Sequence, residues 1–290
     1  MRFQRILGIQ FVVAEAQQVI DLVSENGGLV VVPAAPAMCT IGSDPVYREA
    51  LLGADLVIAD SAYMVLSWNL LHRPKISKLS GLTYLRALLL QEGFCRAGAT
   101  FWVTPQRESA ERTVMWLAKN GIDVDPANMY EAPQYRGCIQ DPVLVKTIER
   151  QRPRHVILCI GGGVQEPLGL YLKENLSYLP AIHCIGAAIG FLTGDQVRIP
   201  VWADHLGLGW FFRCLSDPKR FFPRYWGGAA SSAHDRALSG SVACSGVQQQ
   251  IRRLMESERS GVCGLTLSAP DSGRRDLRRL QIGKLLQGQH

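Results

Sequence analysis

The chain has 290 residues, of which 47% are hydrophobic and 19% charged, with a formal net charge of +6. This length and apolar content support a sizeable core, in one large α/β domain with an appendage or in two small domains, and exclude a chain that is disordered as a whole. The charge is too moderate to point to nucleic acid, and no apolar run reaches the roughly 18 residues of a membrane span.

At the N-terminus, Arg2 and Arg5, the run Ile6 to Val13 and Ala14-Glu15-Ala16 mimic a secretion signal. Gln10 interrupts the apolar part, and the next residues continue as an amphipathic helix, so Ile6 to Val13 is read as a first strand. Glu15 to Asn26 carries a helical stripe of Ala16, Val19, Ile20 and Val23 and ends at Gly27-Gly28. Leu29 to Val32 predicts a strand buried on both faces, and Pro33-Ala34-Ala35-Pro36 predicts a loop. Ser43 or Asp44 caps a short helix with Pro45 at its first position.

Ala54 to Ala59 predicts a strand closed by Asp60-Ser61. Helices follow at Ala62 to His72, stopped by Arg73-Pro74, and at Gly81 to Glu92. A strand at Thr100 to Val103, a helix at Ser109 to Asn120, a weak strand near Asn128 to Glu131 and a helix begun by Asp141-Pro142 come next. Val156 to Ile160 predicts a strand that runs into Gly161, Gly162 and Gly163, then a helix to about Tyr178 and a last strand at Ala181 to Ile185. Strands alternating with helices predict βαβ units, right-handed crossovers and a mostly parallel sheet flanked by helices.

From Gly190 the composition changes. Gly194 to Trp226 is dense in Trp, Phe, Arg and Pro, and Gly227 to Gly246 reads as a linker. Beyond it, Val247 to Arg259 and Arg274 to Leu286 are basic helical candidates; Ser241 to His290 holds eight Lys or Arg against four Asp or Glu. The expected organisation is an α/β domain over 1–226, then a linker and basic tail over 227–290. The tail reads either as a surface for anionic lipid or as a solvated end.

The eight cysteines include no Cys-x-x-Cys pair, and Cys159 and Cys184 lie in predicted strands. They read as core thiols in a reducing cytoplasm rather than as a zinc site or a disulfide framework. The six histidines show no metal-ligand spacing and read as structural. Three acidic residues, Asp60, Glu166 and Asp195, fall at strand ends or loops. Ligands of open α/β sheets bind outside the carboxyl ends of the strands, which makes Asp60 a candidate general base. Its plainer role is to cap the helix that follows.

The Gly161–Gly163 turn before a helix start is a candidate phosphate cradle, because glycines admit close approach and the first helical N–H groups lack internal partners. It lacks the spacing of a dinucleotide fingerprint or a P-loop, and the same residues also make a plain tight turn. Lys78 reads as a phosphate-facing cation or a solvated lysine. Arg213, Arg220 and Arg224, among the aromatics of Trp202 to Trp226, suit phosphate recognition or a membrane surface.

Three stretches together resemble the WecB/TagA/CpsF glycosyltransferases of bacterial surface polysaccharide synthesis. Ala54 to Asp60 is similar to the family's strand ending in Asp-Gly, and Gly161 to Glu166 to its Gly-x-Pro-Lys-Gln-Glu turn. Gly186 to Trp226, with Phe191, Gly194, Arg198-Ile-Pro200, Trp202, Trp210, Arg213, Arg220 and Arg224-Tyr225, is similar to its C-terminal signature. The resemblance implies a Rossmann-like fold and transfer of a hexose or N-acetylhexosamine-type sugar from a UDP-sugar donor to a lipid-linked sugar acceptor. It implies an inverting reaction without metal or other cofactor, with Asp60 as base. Lys78, Gly161, Gly162, Gly163, Gln165, Glu166 and the three arginines are then the substrate-binding candidates.

The resemblance further implies a cytoplasmic protein at the inner face of the membrane, in peripheral contact through its C-terminal segment. It involves no nucleic acid and allows a homo-oligomer. Ser61, Lys78, Gly163-Val164 and Gly209 stand where the family keeps Gly, Arg, Pro-Lys and Glu. These positions leave open a second reading, a relative that binds a nucleotide or lipid diphosphate without transfer. A nicotinamide-dependent oxidoreductase fits neither the glycine spacing nor its late position in the chain.

Overall fold

Short apolar runs that do not alternate with polar residues suit strands covered on both faces. The structure is a computed structural model that describes residues 1–195 apart from Cys39, Ala97, Arg136 and Cys138. Its strands are β1 (Arg2–Ile6), β2 (Ile9–Val13), β3 (Gly28–Val31), β4 (Leu56–Ile58), β5 (Thr100–Thr104), β6 (Met129–Glu131), β7 (His155–Leu158) and β8 (Ala181–Cys184). They make an 8-stranded sheet in the order β1-β2-β4-β3-β8-β7-β5-β6. Every pairing is parallel except β1 with β2. All residues of β3, β4, β5, β7 and β8 are buried, as a doubly covered sheet requires. The fold is the mostly parallel α/β architecture that the strand–helix alternation predicts.

The helices are α1 (Ala16–Asn26), α2 (Ala35–Met38), α3 (Pro45–Gly53), α4 (Ala62–Leu71), α5 (Gly81–Leu89), α6 (Arg107–Lys119), α7 (Pro142–Gln151), α8 (Gln165–Asn175) and α9 (Gly190–Thr193). One face of the sheet, with Val30, Ile58, Trp102 and Ile157, packs against Val19 and Ile20 of α1, Tyr84 and Leu88 of α5 and Leu117 of α6. The other, with Val31, Val57, Val103 and Leu158, packs against Tyr47 of α3, Trp68 of α4, Ile148 of α7 and Leu172 of α8. Among the described residues no helix is long and apolar enough to cross a membrane.

Helix starts follow their capping residues. Asp44, Ser61, Ser80 and Asp141 accept from the backbone N–H of Tyr47, Met64, Thr83 and Leu144 at 2.9, 3.2, 3.1 and 2.8 Å. Each such cap contributes about 1 kcal/mol.

Two predicted elements differ. The strand expected over Ile6 to Val13 is the end of an antiparallel hairpin: Leu7 and Gly8 take positive φ of 53° and 76°, and Ile6 pairs with Ile9. Two consecutive positive φ values suit a two-residue hairpin turn, and Leu7 hides it because leucine rarely adopts that conformation. The loop expected at Pro33 to Pro36 is shorter than that, because α2 begins at Ala35. The aromatic and arginine block from Gln196 onward, with Arg213, Arg220 and Arg224, the boundary at 226/227 and the basic tail, lies outside the described residues.

Candidate active site

Because β4, β3, β8 and β7 are parallel and adjacent, their carboxyl ends share one edge of the sheet. Asp60 follows β4, Pro33-Ala34 follow β3, Gly186 follows β8 and Gly161 follows β7. From β4 to β7 there are three strand spacings of about 4.8 Å, so the edge between Asp60 and the glycine turn spans roughly 14 Å.

Asp60 does not cap the helix that follows it. Ser61 takes that position, and the Asp60 Oδ1 accepts instead from the Gly81 N–H at 3.1 Å, the first residue of α5. The carboxylate thus lies at the positive end of a helix two elements later, a favourable place for negative charge. Lys78 is half-buried in the segment entering α5. The next residue, Leu79, donates its N–H to the Ala59 carbonyl at 3.1 Å, so the Lys78-Leu79 backbone runs beside Ala59-Asp60. Asp195, the third acidic candidate, pairs with Arg112 of α6 and accepts from the Thr193 hydroxyl.

At the other end, the turn after β7 closes by hydrogen bonds from Val164 and Gln165 N–H to the Gly161 carbonyl, each 3.2 Å. Gly161 and Gly162 are exposed, and Gly163 has φ +87°, a left-handed conformation that favours glycine. Beneath them the side chains of Gln165 and Glu166 are buried, at 2% and 0% exposure. Glu166 Oε2 accepts from the Gly163 N–H at 2.7 Å, and Oε1 accepts from Gln165 Nε2 at 3.2 Å. Burial pushes the Glu166 carboxyl up to about 7, against the opposing pull of these hydrogen bonds. Gln165 Oε1 accepts from the Gly186 N–H at 2.7 Å, tying the turn after β7 to the turn after β8.

A continuous path of contacts therefore joins the two groups. Asp60 holds Gly81; a Cβ at Gly81 would lie 3.4 Å from Val32, 3.6 Å from the Ile185 carbonyl and 3.9 Å from Ala188. The neighbouring Gly186 is held by Gln165, Gln165 by Glu166, and Glu166 by Gly163. The turn also meets the segment after β3: a Cβ on Gly162 would lie 3.9 Å from the Cβ atoms of Ala34 in the loop and Ala37 in α2.

A model of the glycosyl transferase WecG/TagA/CpsF family matches residues 4–233. The chain belongs to that family. No curated protein matches it. The match bears out the resemblance read from the sequence and identifies a glycosyltransferase of the type that acts in cell-surface polysaccharide synthesis.

Two features of this glycosyltransferase escape a sequence reading. A Glu in the first turn of a helix reads as dipole compensation, and nothing local says that Glu166 is fully buried beneath the turn. Asp141 is legible as a cap, but its Oδ2 also accepts from the Tyr130 and Tyr135 hydroxyls at 2.9 and 2.8 Å. Those tyrosines lie on β6 and on the loop before α7, and only the fold brings them to one carboxylate.

Proposed function

We propose that this glycosyltransferase moves a hexose or N-acetylhexosamine-type sugar from a UDP-sugar to a sugar carried on a polyprenyl diphosphate. The observation that carries the reading is the position of Asp60 and the glycine turn on one carboxyl edge of the sheet, in a chain of this family. The span of roughly 14 Å is too long for a diphosphate alone and suits an extended nucleoside diphosphate sugar.

In this mechanism the acceptor hydroxyl oxygen attacks the anomeric carbon from the face opposite the diphosphate. The bond from that carbon to the diphosphate oxygen breaks, the configuration inverts, and the hydroxyl proton passes to Asp60. The leaving UDP gathers negative charge. The exposed Gly161-Gly162 backbone and the positive end of the α8 dipole stabilise that charge, the Val164 and Gln165 N–H groups being already bonded to the Gly161 carbonyl; Lys78 and an arginine among Arg213, Arg220 and Arg224 add to it, so no metal is required.

The test is a screen for UDP release over UDP-sugars and lipid-diphosphate sugar acceptors in the presence of a chelator. Acceptor-dependent release with at least one pair is expected. Saturable UDP binding without turnover over the whole panel would favour the non-transferring relative, which the residues at Ser61, Gly163, Val164 and Gly209 motivate.

A further inference from the structure

The two sides of the glycine turn face different chemistry. Gly161 and Gly162 are exposed on the outside, while the Glu166 carboxyl lies fully buried on the inside, bonded to the Gly163 N–H at 2.7 Å. A helix start and a glycine turn attract anions, and here the protein's own carboxyl already holds part of that donor set. A diphosphate seated on the outer face would stand across one layer of backbone from it. Two anions so placed repel strongly when little water lies between them, whereas a neutral carboxyl removes the repulsion and still offers its carbonyl oxygen to one of the two N–H donors.

We propose that Glu166 is a positioning residue of the donor site whose carboxyl is neutral when the diphosphate is bound, so that donor binding takes up a proton. This rests on the reading that the donor diphosphate occupies the Gly161–Gly163 turn. The Glu166 side chain lies at the centre of the contacts that hold this turn. It fixes Gly163 directly, and it fixes Gln165, which in turn fixes Gly186 on the neighbouring strand end. Burial raises its affinity for a proton into the neutral range, where a modest electrostatic change moves the equilibrium.

The surroundings leave the carboxyl without a compensating cation among the described residues. The loop after β3 presents Ala34 and α2 presents Ala37 at Gly162, α8 contributes Gln165, and the turn after β8 contributes Gly186. The titratable neighbour is Cys184 of β8, whose thiol is pushed up by burial and by the Glu166 charge, and whose Sγ donates to the Gln165 carbonyl at 3.3 Å. The charged contacts of α8 with Asp55 and the α3 end, through Lys173, are two turns further along the helix.

Calorimetric titration tests this with UDP-N-acetylmannosamine and UDP-N-acetylglucosamine, diphosphate diesters with no group that titrates near neutrality. Full-length wild type is measured between about pH 6 and pH 8.5, in pairs of buffers that differ in ionisation enthalpy. Net proton uptake is expected near pH 7, with affinity falling about tenfold between about pH 7 and 8.5. Glu166→Gln is expected to abolish both the uptake and the pH dependence. Gln165→Ala loosens the same turn but leaves the carboxyl in place; it is expected to bind more weakly at every pH and to keep the dependence.

A Glu166 that served structure alone would lower affinity equally at all pH values when changed. Wild-type binding without proton uptake, or pH dependence that survives Glu166→Gln, overturns the proposal and leaves the donor site standing. Absence of saturable binding by wild type at any pH overturns the donor-site reading and this inference with it.

Discussion

Glu166 has a fully buried carboxyl with no cation beside it among the described residues, and that combination has a cost in folding. Its carboxyl titrates near 4.5 in the unfolded chain and near 7 in the folded one. Between those values the folded form keeps a proton that the unfolded form has lost, so stability falls as pH rises through this window. His155 has the opposite sign: burial lowers it from 6.5 to about 4, so the unfolded form binds the extra proton and stability rises with pH from about 4 to 6.5. His183, lowered by burial and by His155, acts in the same direction. Each group contributes a slope of up to about 1.4 kcal/mol per pH unit. Glu166→Gln removes the falling contribution and is expected to steepen the rise in stability between about pH 5 and 6.5 by roughly 1 kcal/mol per unit. Urea unfolding of both proteins across that range measures it, and parallel slopes would contradict a buried carboxyl that holds its proton. None of these shifts is legible locally. His155, His183 and Tyr84 lie on two strands and a helix, and only the sheet joins them into a chain with hydrogen bonds of 3.1 and 2.9 Å.

Elements were more legible than contacts between them. Caps read from local sequence start α3 and α7: of Ser43 and Asp44 before Pro45 it is Asp44 that caps, and Asp141 before Pro142 starts α7 as expected, because a cap is a local hydrogen bond. The hairpin of β1 and β2 was hidden because Leu7 has the wrong chemistry for its own turn, and tertiary pairing overrides that preference. The element that most depends on an invisible contact is α8. A glycine inside a helix costs about 1 kcal/mol relative to alanine, which makes Gly169 a poor choice on propensity. Its reason is packing: a Cβ there would lie 2.7 Å from Cys184 Sγ and 2.7 Å from Leu29 Cδ1 on the sheet beneath. Such overlap in a closed core costs about 1–3 kcal/mol and outweighs the gain in propensity. Gly169→Ala is therefore expected to destabilise the protein by up to about 2 kcal/mol net, read as a lower urea midpoint with an unchanged m-value. A midpoint above wild type would show that α8 does not sit this close to β3 and β8.

At the scale of the molecule, the sheet order explains why residues 100 positions apart in sequence meet. The chain places β4 and β3 on one side and β8 and β7 on the other, so four loops from distant segments line one edge. Alternation of strands and helices predicted a mostly parallel sheet. It did not predict the strand order, which depends on where each crossover lands rather than on any local pattern. The Asp60 carboxylate, the Gly161-Gly162 backbone and the buried Glu166–Gln165–Gly186 tie thus lie along one edge of the sheet. In the proposed mechanism Asp60 at one end is the base and the glycine turn at the other holds the donor, the separate anchor points that a single displacement at the anomeric carbon needs. Asp60 takes the acceptor proton in that proposed mechanism. With a UDP-sugar and acceptor pair that wild type turns over, UDP release by Asp60→Asn is the direct measurement. A fall in kcat of about 10²–10⁴-fold is expected, with UDP-sugar affinity changed less than about threefold; a wild-type kcat in Asp60→Asn would show that Asp60 is not the base.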